Sequence, residues 1–335
     1  MNILITGVAG GIGSTLSAIL KNHGHFVVGI DNFNNGYDYN LHHGDENVCH
    51  QFIETDIRNT EFVASLLHKY NIDVIVHLAA ITSLPVCESS PVEALSVNVG
   101  GTASILTAAR SKGCKVIVAS TSAIYENNER YAAPFEEGIS VSPRLIYPLS
   151  KKMAEDLVAT YATNYGMDIT TLRFFNVFGP RQDIQRPMPP LINYVVRCIS
   201  RGEHANFYSD GNQQRDYVHV DDVAAIVEAC LTKGGGETFN VCTGTLTSVR
   251  DIVSYAESTF GMFAHSFNPA GGFWEGNDSL FDSPRPLSEA VVEREVNKFA
   301  LGDCSKAERM LGWVPRKDIA QLMSETMIEN ARIIS

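Results

Sequence analysis

The chain has 335 residues and a mass of 36.7 kDa, long enough to bury a large core as one continuous unit with two lobes. Its content of 44% hydrophobic and 19% charged residues is ordinary for a globular protein, and no apolar run reaches the roughly 18 residues that a membrane crossing needs. A formal net charge of -12 excludes a nucleic-acid surface, which requires clustered Lys and Arg, but leaves room for a local basic pocket.

The opening residues carry no basic stretch and reach Gly7 too early for a signal peptide. The seven cysteines are odd in number and show no Cys-x-x-Cys spacing, so reduced, mostly buried thiols in a cytoplasmic protein are expected. Ile3-Leu4-Ile5 is a short apolar run that stops at Thr6-Gly7 and reads as a buried strand. Gly7, Gly10, Gly11, Ile12 and Gly13 follow, and then a helical pattern through Leu16, Ile19 and Leu20. Strand, glycine turn and helix in that order suit a dinucleotide loop, where the backbone approaches a pyrophosphate at a helix N-terminus. A second strand over residues 26–30 ends at Asp31, 18 residues beyond Gly13. A carboxylate at that distance accepts from the adenosine ribose hydroxyls and repels a 2′-phosphate, which points to NAD rather than NADP.

Residues 33–50 read as a loop, and His42 and His43 within it have no partner at metal-ligand spacing, so no metal is expected. A short strand precedes Asp56-Ile57, and a helix is predicted over 60–70. The strand 74–78 ends at Leu78-Ala79-Ala80, where small side chains let backbone approach a ligand. A single helix over 91–112 carries Asn98, and the strand 116–119 delivers Ser120-Thr121-Ser122 at its carboxyl end. Strands alternating with helices at this spacing predict an α/β fold, a doubly wound parallel sheet that binds ligands at the strands' carboxyl ends. In Tyr147-Pro148-Leu149-Ser150-Lys151, a helix places Tyr147 and Lys151 on one face. Such pairs are common on helix surfaces. Beside a nucleotide site, an ammonium next to a phenol favours the phenolate and makes a general base.

These pieces resemble the extended short-chain dehydrogenase/reductases, specifically the nucleotide-sugar epimerase/dehydratase branch. The resemblance rests on Thr6-Gly7-x-x-Gly10-x-x-Gly13, Asp31, Asp56-Ile57, His77-Leu78-Ala79-Ala80, Asn98, Ser120-Thr121-Ser122-Ala123-Ile124-Tyr125 and Tyr147-x-x-x-Lys151. It continues through Arg173-Phe174-Phe175-Asn176, Arg215-Asp216-Tyr217-Val218-His219 and Leu311-Gly312-Trp313, spanning nearly the whole chain in order. It implies a Rossmann domain over 1–175, with return segments at about 215–242, and a smaller α/β substrate lobe over 176–335. It makes Thr121, Tyr147 and Lys151 the catalytic triad. Cofactor-binding roles fall on the five residues of the glycine loop and on Asp31, Asn32, Asp56, Ile57, Leu78, Ala79, Ala80, Asn98, Tyr147, Lys151 and Phe174. On the substrate side it implies Thr82, Thr121, Ser122, Asn176, Leu191, Tyr208, Arg215 and Arg294, with Arg285 a rival to Arg294 for the diphosphate. Two departures stand out. Pro148 replaces a usual Gly or Ala, and Glu126 replaces the glycine after Tyr125.

The implied chemistry has Tyr147 take a proton from a sugar hydroxyl as the carbon beneath gives hydride to the nicotinamide. Lys151 lowers the Tyr147 pKa and holds the ribose, and Thr121 relays the proton. Dehydratases of this branch place an Asp-Glu pair after the Thr to eliminate water. Here Ser122 and Ala123 stand there, which favours epimerisation at C4 of a nucleotide-diphosphate sugar, a UDP-sugar in particular. Dehydratase, decarboxylase or reductase chemistry, and a non-catalytic dinucleotide-binding protein, are the alternatives. After Lys151 a helix continues to about Tyr165 with Met153, Leu157 and Tyr161 along one side, a face that, by the resemblance, pairs in homodimers of the family. The loop 182–190 opens the substrate lobe, a helix spans 191–201, and the stretch 264–290 departs from the family as a substrate loop or a surface insertion.

Overall fold

The protein is described by a computed structural model covering residues 1–125, 133–186, 188–274, 277–282 and 284–334. Glu126 therefore lies outside the described residues, as does the side chain of His43. Short runs of β-branched and apolar residues make the strands β1 (Asn2–Thr6), β2 (Phe26–Asp31), β3 (Gln51–Glu54), β4 (Val74–His77), β5 (Lys115–Thr121) and β6 (Ile169–Phe174). Between them run the helices α1 (Gly11–Asn22), α2 (Thr60–Lys69), α3 (Thr102–Lys112) and α4 (Ile146–Tyr165). Two further short strands matter to the site, β7 (Asn176–Phe178) and β8 (Gln214–His219), followed by β9 (Thr238–Val241). Among the described residues seven strands form one parallel sheet in the order β9-β6-β5-β4-β1-β2-β3. The order reverses between β1 and β4, and the crevice of such a sheet opens at the carboxyl ends there. Thr238–Val241 adds outside Ile169–Phe174 and closes that edge of the sheet.

Both faces of the sheet are covered. On one side Ile3, Ile5, Val27, Val74 and Val76 pack against Leu16 and Leu20 of α1 and Val223, Ile226 and Val227 of a helix at Val220–Cys230. On the other, Leu4, Val28, Ile75, Val116 and Val118 meet Val63 and Leu67 of α2, Ile105 and Leu106 of α3, and Val158 of α4. Each such side chain, fully buried, contributes about 1.5–3 kcal/mol. Leu157 and Tyr161 of α4 pack into this second cluster, and the Tyr161 hydroxyl lies 2.9 Å from that of Thr107.

The expected single helix over 91–112 is broken into Pro91–Leu95, a π-helical turn at Ser96–Gly101, and α3. Helix α4 starts at Ile146, so Pro148 sits in its first turn, where a missing N–H costs no intrahelical bond.

Outside the sheet, β8 runs parallel to β7 and antiparallel to Leu246–Ser248. The helices Leu191–Arg201, Val249–Phe260 and Ile319–Ile334 share a third cluster through Val195, Val196, Ile252, Val253, Met323 and Met327. The stretch 264–290 is not simply a loop. His265–Asn268 pairs with Ala205–Tyr208, and a 3₁₀ turn at Ala270–Trp274 buries Trp274 completely against Leu145, Leu280 and Val292. Residues 33–50, read as a loop, likewise hold a 3₁₀ turn at Asp38–Leu41 and a small hairpin of His42–His43 with Glu46–Asn47.

Candidate active site

A cleft of about 450 Å³ lies along the carboxyl ends of β1, β2, β4 and β5. Gly7 takes a left-handed φ of +75°, and a Cβ there would stand 2.9 Å from the Ala79 nitrogen. A Cβ on Gly13 would stand 2.2 Å from the Gly7 carbonyl oxygen, so the turn and helix can pack this closely only as glycine. Helix α1 begins with Gly10 as a cap that lends no side chain, and no acidic residue lies in its first turn, which suits an anion. Thr6 Oγ1 accepts from the main-chain N–H groups of Leu78 and Ala79, both at 3.1 Å, and lies 2.8 Å from His77 Nδ1. The other ring nitrogen of His77 is 3.1 Å from Thr102 Oγ1. Burial pushes this histidine down to about 3, so it is a neutral brace between β1, β4 and α3.

At the far end of the cleft, Asp31 accepts from Ala9 N at 3.0 Å and Phe33 N at 2.9 Å, and burial raises its pKa while those bonds oppose the rise. Arg58, which motif reading missed, lines the same end. Its guanidinium forks onto Asp56 at 2.7 and 3.0 Å and onto Glu93 at 3.0 Å. The Arg58 hydrogen bond holds Asp56 below its usual value. With three carboxylates around one committed cation, this end stays hostile to a ribose 2′-phosphate. Ser120 Oγ is buried in the cleft wall without a hydrogen-bond partner among the described residues. An uncapped helix start, the Asp31 carboxylate and this spare hydroxyl together fit a dinucleotide.

At the inner end three side chains converge. Thr121 closes β5, Tyr147 and Lys151 stand on α4, and all three line the cleft. Lys151 Nζ donates to the Ala119 carbonyl at 2.9 Å. Burial lowers Lys151 to about 8, and Glu155 opposes the shift. Burial raises Tyr147 to about 12, against a hydrogen bond with Thr121 that lowers it. The expected acidification by Lys151 is not what governs the phenol within the chain. The cation whose charge bears on it is Arg186, which lowers it. Arg186 lies in the loop after β7, lines the cleft, and donates through Nε to the Met188 carbonyl at 2.7 Å. The same loop is tied to the cofactor side by Tyr37, whose hydroxyl donates to Asp183 at 2.8 Å, and by Asn40, whose amide donates to the Arg181 carbonyl at 3.3 Å.

A second pocket of about 190 Å³ adjoins the first and shares Thr82, Thr121, Tyr147 and Phe175 with it. Ser122, Ala123, Asn176 and Arg215 add to its wall, as do Glu295, Lys298 and Phe299. Two cavities that meet at Thr121 and Tyr147, with Lys151 in the larger one, can hold a redox cofactor in one and the group to be oxidised in the other.

The model of the NAD dependent epimerase/dehydratase family matches residues 3–242. The chain belongs to that family. It is 32% identical to a UDP-glucose 4-epimerase of Mycolicibacterium smegmatis over 98% of this chain and 97% of the relative. Its fold is similar to that of a UDP-glucose 4-epimerase of Thermotoga maritima solved with UDP-glucose, at a TM-score of 0.86, 26% identity and complete coverage of both chains. It is also similar to a UDP-glucuronic acid 4-epimerase of Bacillus cereus in complex with UDP-glucuronic acid and NAD. That TM-score is 0.81 at 27% identity, over 99% of this chain and 100% of the other. As a member of this family, the protein is an NAD-dependent enzyme.

The fold brings most of the residues named by family resemblance to these walls. Gly7, Gly10, Gly11, Ile12, Gly13, Asp31, Asn32, Asp56, Ile57, Leu78, Ala79, Ala80, Tyr147, Lys151 and Phe174 line the large cleft. Thr82, Thr121, Ser122, Asn176 and Arg215 line the smaller pocket. Four residues are not there. Asn98 is buried behind the wall, its amide bonded to the Ile81 N–H and carbonyl at 2.8 and 2.9 Å and to Ser150 at 2.9 Å, so it supports the cleft rather than lining it. Leu191 packs in the α-helical cluster of the second lobe, and Tyr208 packs against Phe273. Arg294 points away on the exposed side of its helix, and Arg285 is exposed too.

Proposed function

We propose that this enzyme interconverts two UDP-hexoses that differ at C4, through a 4-keto sugar held in the smaller pocket. The observation that carries this reading is the junction of the two cavities at Thr121 and Tyr147, with Lys151 on the cofactor side and Ser122 and Ala123 lining the sugar side. Eliminating water needs an acid and a base at neighbouring carbons, and alanine offers neither. NAD, when bound, supplies the redox capacity for oxidising and then reducing the same carbon. The cleft's glycine turn and Asp31 would hold its pyrophosphate and adenosine ribose, and the Lys151 ammonium would hold its nicotinamide ribose.

Tyr147, as the phenolate that the Lys151 ammonium and the positive charge of bound NAD would favour against burial, takes the proton of the C4 hydroxyl and returns it after the sugar has turned over. Thr121 orients that hydroxyl through the bond that also bears on Tyr147. Incubation with UDP-glucose and chromatographic separation of the products tests the proposal. An equilibrium of two epimers is the expected result.

A second substrate reading is favoured by Arg186, a largely buried cation whose charge reaches Tyr147. A carboxylate on the sugar would pair with it, as in UDP-glucuronate. Comparison of kcat/KM on the two UDP-sugars separates the readings.

We further propose that the protein works in the cytoplasm as a homodimer. Seven free thiols, six of them buried, suit a reducing compartment. Met153, 40% exposed on α4, leaves an apolar group on the outer side of the helix that pairs in the family.

A further inference from the structure

The helix that carries Tyr147 and Lys151 has no cap of its own. Its N-cap residue is Leu145, whose side chain offers no acceptor, and Pro148 at its third position has no N–H. The first bond within the helix runs from the Leu149 N–H to the Leu145 carbonyl at 3.0 Å. The N–H groups of Ile146 and Tyr147 are therefore left without helical partners. Glu88 takes the first of them, its Oε1 accepting from Ile146 N at 2.5 Å. It comes from the short helix Leu84–Ser89, 58 residues back in the chain. Its neighbour Cys87, wholly buried, packs in one cluster with Ile146 and Tyr147. Leu145 is held from another side by the cluster around Trp274, which also takes in Leu84. Beyond Tyr147 the turn is fastened by the Asn98 amide on Ser150 at 2.9 Å and by Lys151 on the Ala119 carbonyl at 2.9 Å.

We infer that Glu88 is a positioning residue for the reaction, its carboxylate capping α4 and fixing the backbone immediately before Tyr147. This rests on the reading of Tyr147 as the base. An N-cap acts on the first turn of a helix, the part that opens most readily, and Tyr147 stands in that turn. The carboxylate also meets the positive end of the helix dipole, where a negative charge is favourable. Glu88 lines neither cavity, so its effect passes through the helix. Thr82 and Leu84, a few residues before it, line the smaller pocket. One short stretch of chain thus presents part of the sugar wall and holds the base that works on the sugar.

Steady-state kinetics of the NAD-loaded enzyme test the inference, on UDP-glucose or UDP-glucuronate, whichever it turns over faster. Glu88→Ala is expected to lower kcat about 5- to 30-fold, the range for removing an N-cap from the turn that holds the base. KM and NAD content should stay within about twofold of the parent, because neither cavity has lost a group. Deuterium at C4 should slow Glu88→Ala more than it slows the parent, since a misplaced base makes the chemical step limiting. Glu88→Gln keeps an oxygen at the cap and should recover most of kcat. Should Glu88→Ala fail to fold, Glu88→Asp draws the carboxylate back by one methylene and is expected to lower kcat about threefold at unchanged KM. Glu88→Ala, or Glu88→Asp in its place, turning over at the rate of the parent overturns the inference, as does Glu88→Gln as slow as Glu88→Ala, and each leaves the nucleotide-sugar reading intact. A parent enzyme that turns over no UDP-sugar overturns that reading, and this inference with it.

Discussion

Lys151 on α4 donates a 2.9 Å hydrogen bond to the carbonyl of Ala119 on β5. The bond ties the start of the helix to the carboxyl end of the strand, so Tyr147, one helical turn earlier, meets Thr121 at the strand's last residue. Tyr147→Phe keeps the ring and its packing and loses only the hydroxyl. Turnover should fall by about 10²–10⁴, the usual contribution of general acid–base catalysis, with NAD content unchanged. Steady-state rates beside absorbance of the cofactor released on denaturation check both halves. Activity within a few-fold of the parent removes Tyr147 from the mechanism.

Tyr37 and Asp183 form a strap across the cofactor cleft through their 2.8 Å bond. The pKa of Tyr37 is raised, first by burial and then by this bond, so the phenol stays a donor throughout the working pH range. Tyr37→Phe should speed NAD dissociation about five-fold, since one such bond is worth about 1 kcal/mol. Stopped-flow displacement of bound NAD measures it, and an unchanged rate shows that the strap does not limit release.

Asp31→Ala removes the acceptor of two loop N–H groups as well as the ribose carboxylate. NAD should bind about ten-fold more weakly and its preference over NADP should narrow, because a 2′-phosphate no longer faces a carboxylate there. Parallel titrations with both cofactors report this. An enzyme that prefers NADP before any substitution contradicts the role given to Asp31.

His77 predicts a pH dependence of stability. Burial, and then the Lys151 charge, lower it to about 3 from its usual 6.5. The neutral ring is therefore favoured in the fold. Its contribution is full above about pH 6.5 and is lost as pH falls from there towards 3, at up to about 1.4 kcal/mol per pH unit. Urea midpoints at about pH 7 and about pH 4.5 should differ less for His77→Gln than for the parent protein, because the variant has no ring to protonate. Equal slopes in the two proteins place the acid sensitivity elsewhere.

Much of the sheet was legible because its central strands are buried on both faces and carry unbroken apolar runs, as in Ile3-Leu4-Ile5 and Val74-Ile75-Val76. The glycine turn and Asp31 were legible because their spacing is dictated by one strand, one turn and one helix. What escaped depends on contacts between distant segments. Asn98 falls in a π-helical turn that aims its amide at Ile81 instead of the cleft, and periodicity carries no sign of that turn. Arg58 enters the cofactor end by a fork onto Asp56 and Glu93, and only the first is near it in the chain. Lys298 reaches the substrate pocket because Arg215 grips the end of its helix, and Arg294, closer to the motif's spacing, turns outward. Residues 264–290 read as a substrate loop or a surface insertion, yet Trp274 in the stretch anchors a core cluster.

The most direct test of the account is to incubate the enzyme with UDP-glucose carrying deuterium at C4, without added reductant, and to read the products by chromatography and mass spectrometry. Oxidation and reduction of one carbon on one cofactor predict two epimers of equal mass that both retain the deuterium, with no lasting rise in NADH absorbance. A product lighter by one water or by carbon dioxide, or accumulation of NADH with turnover, would contradict it.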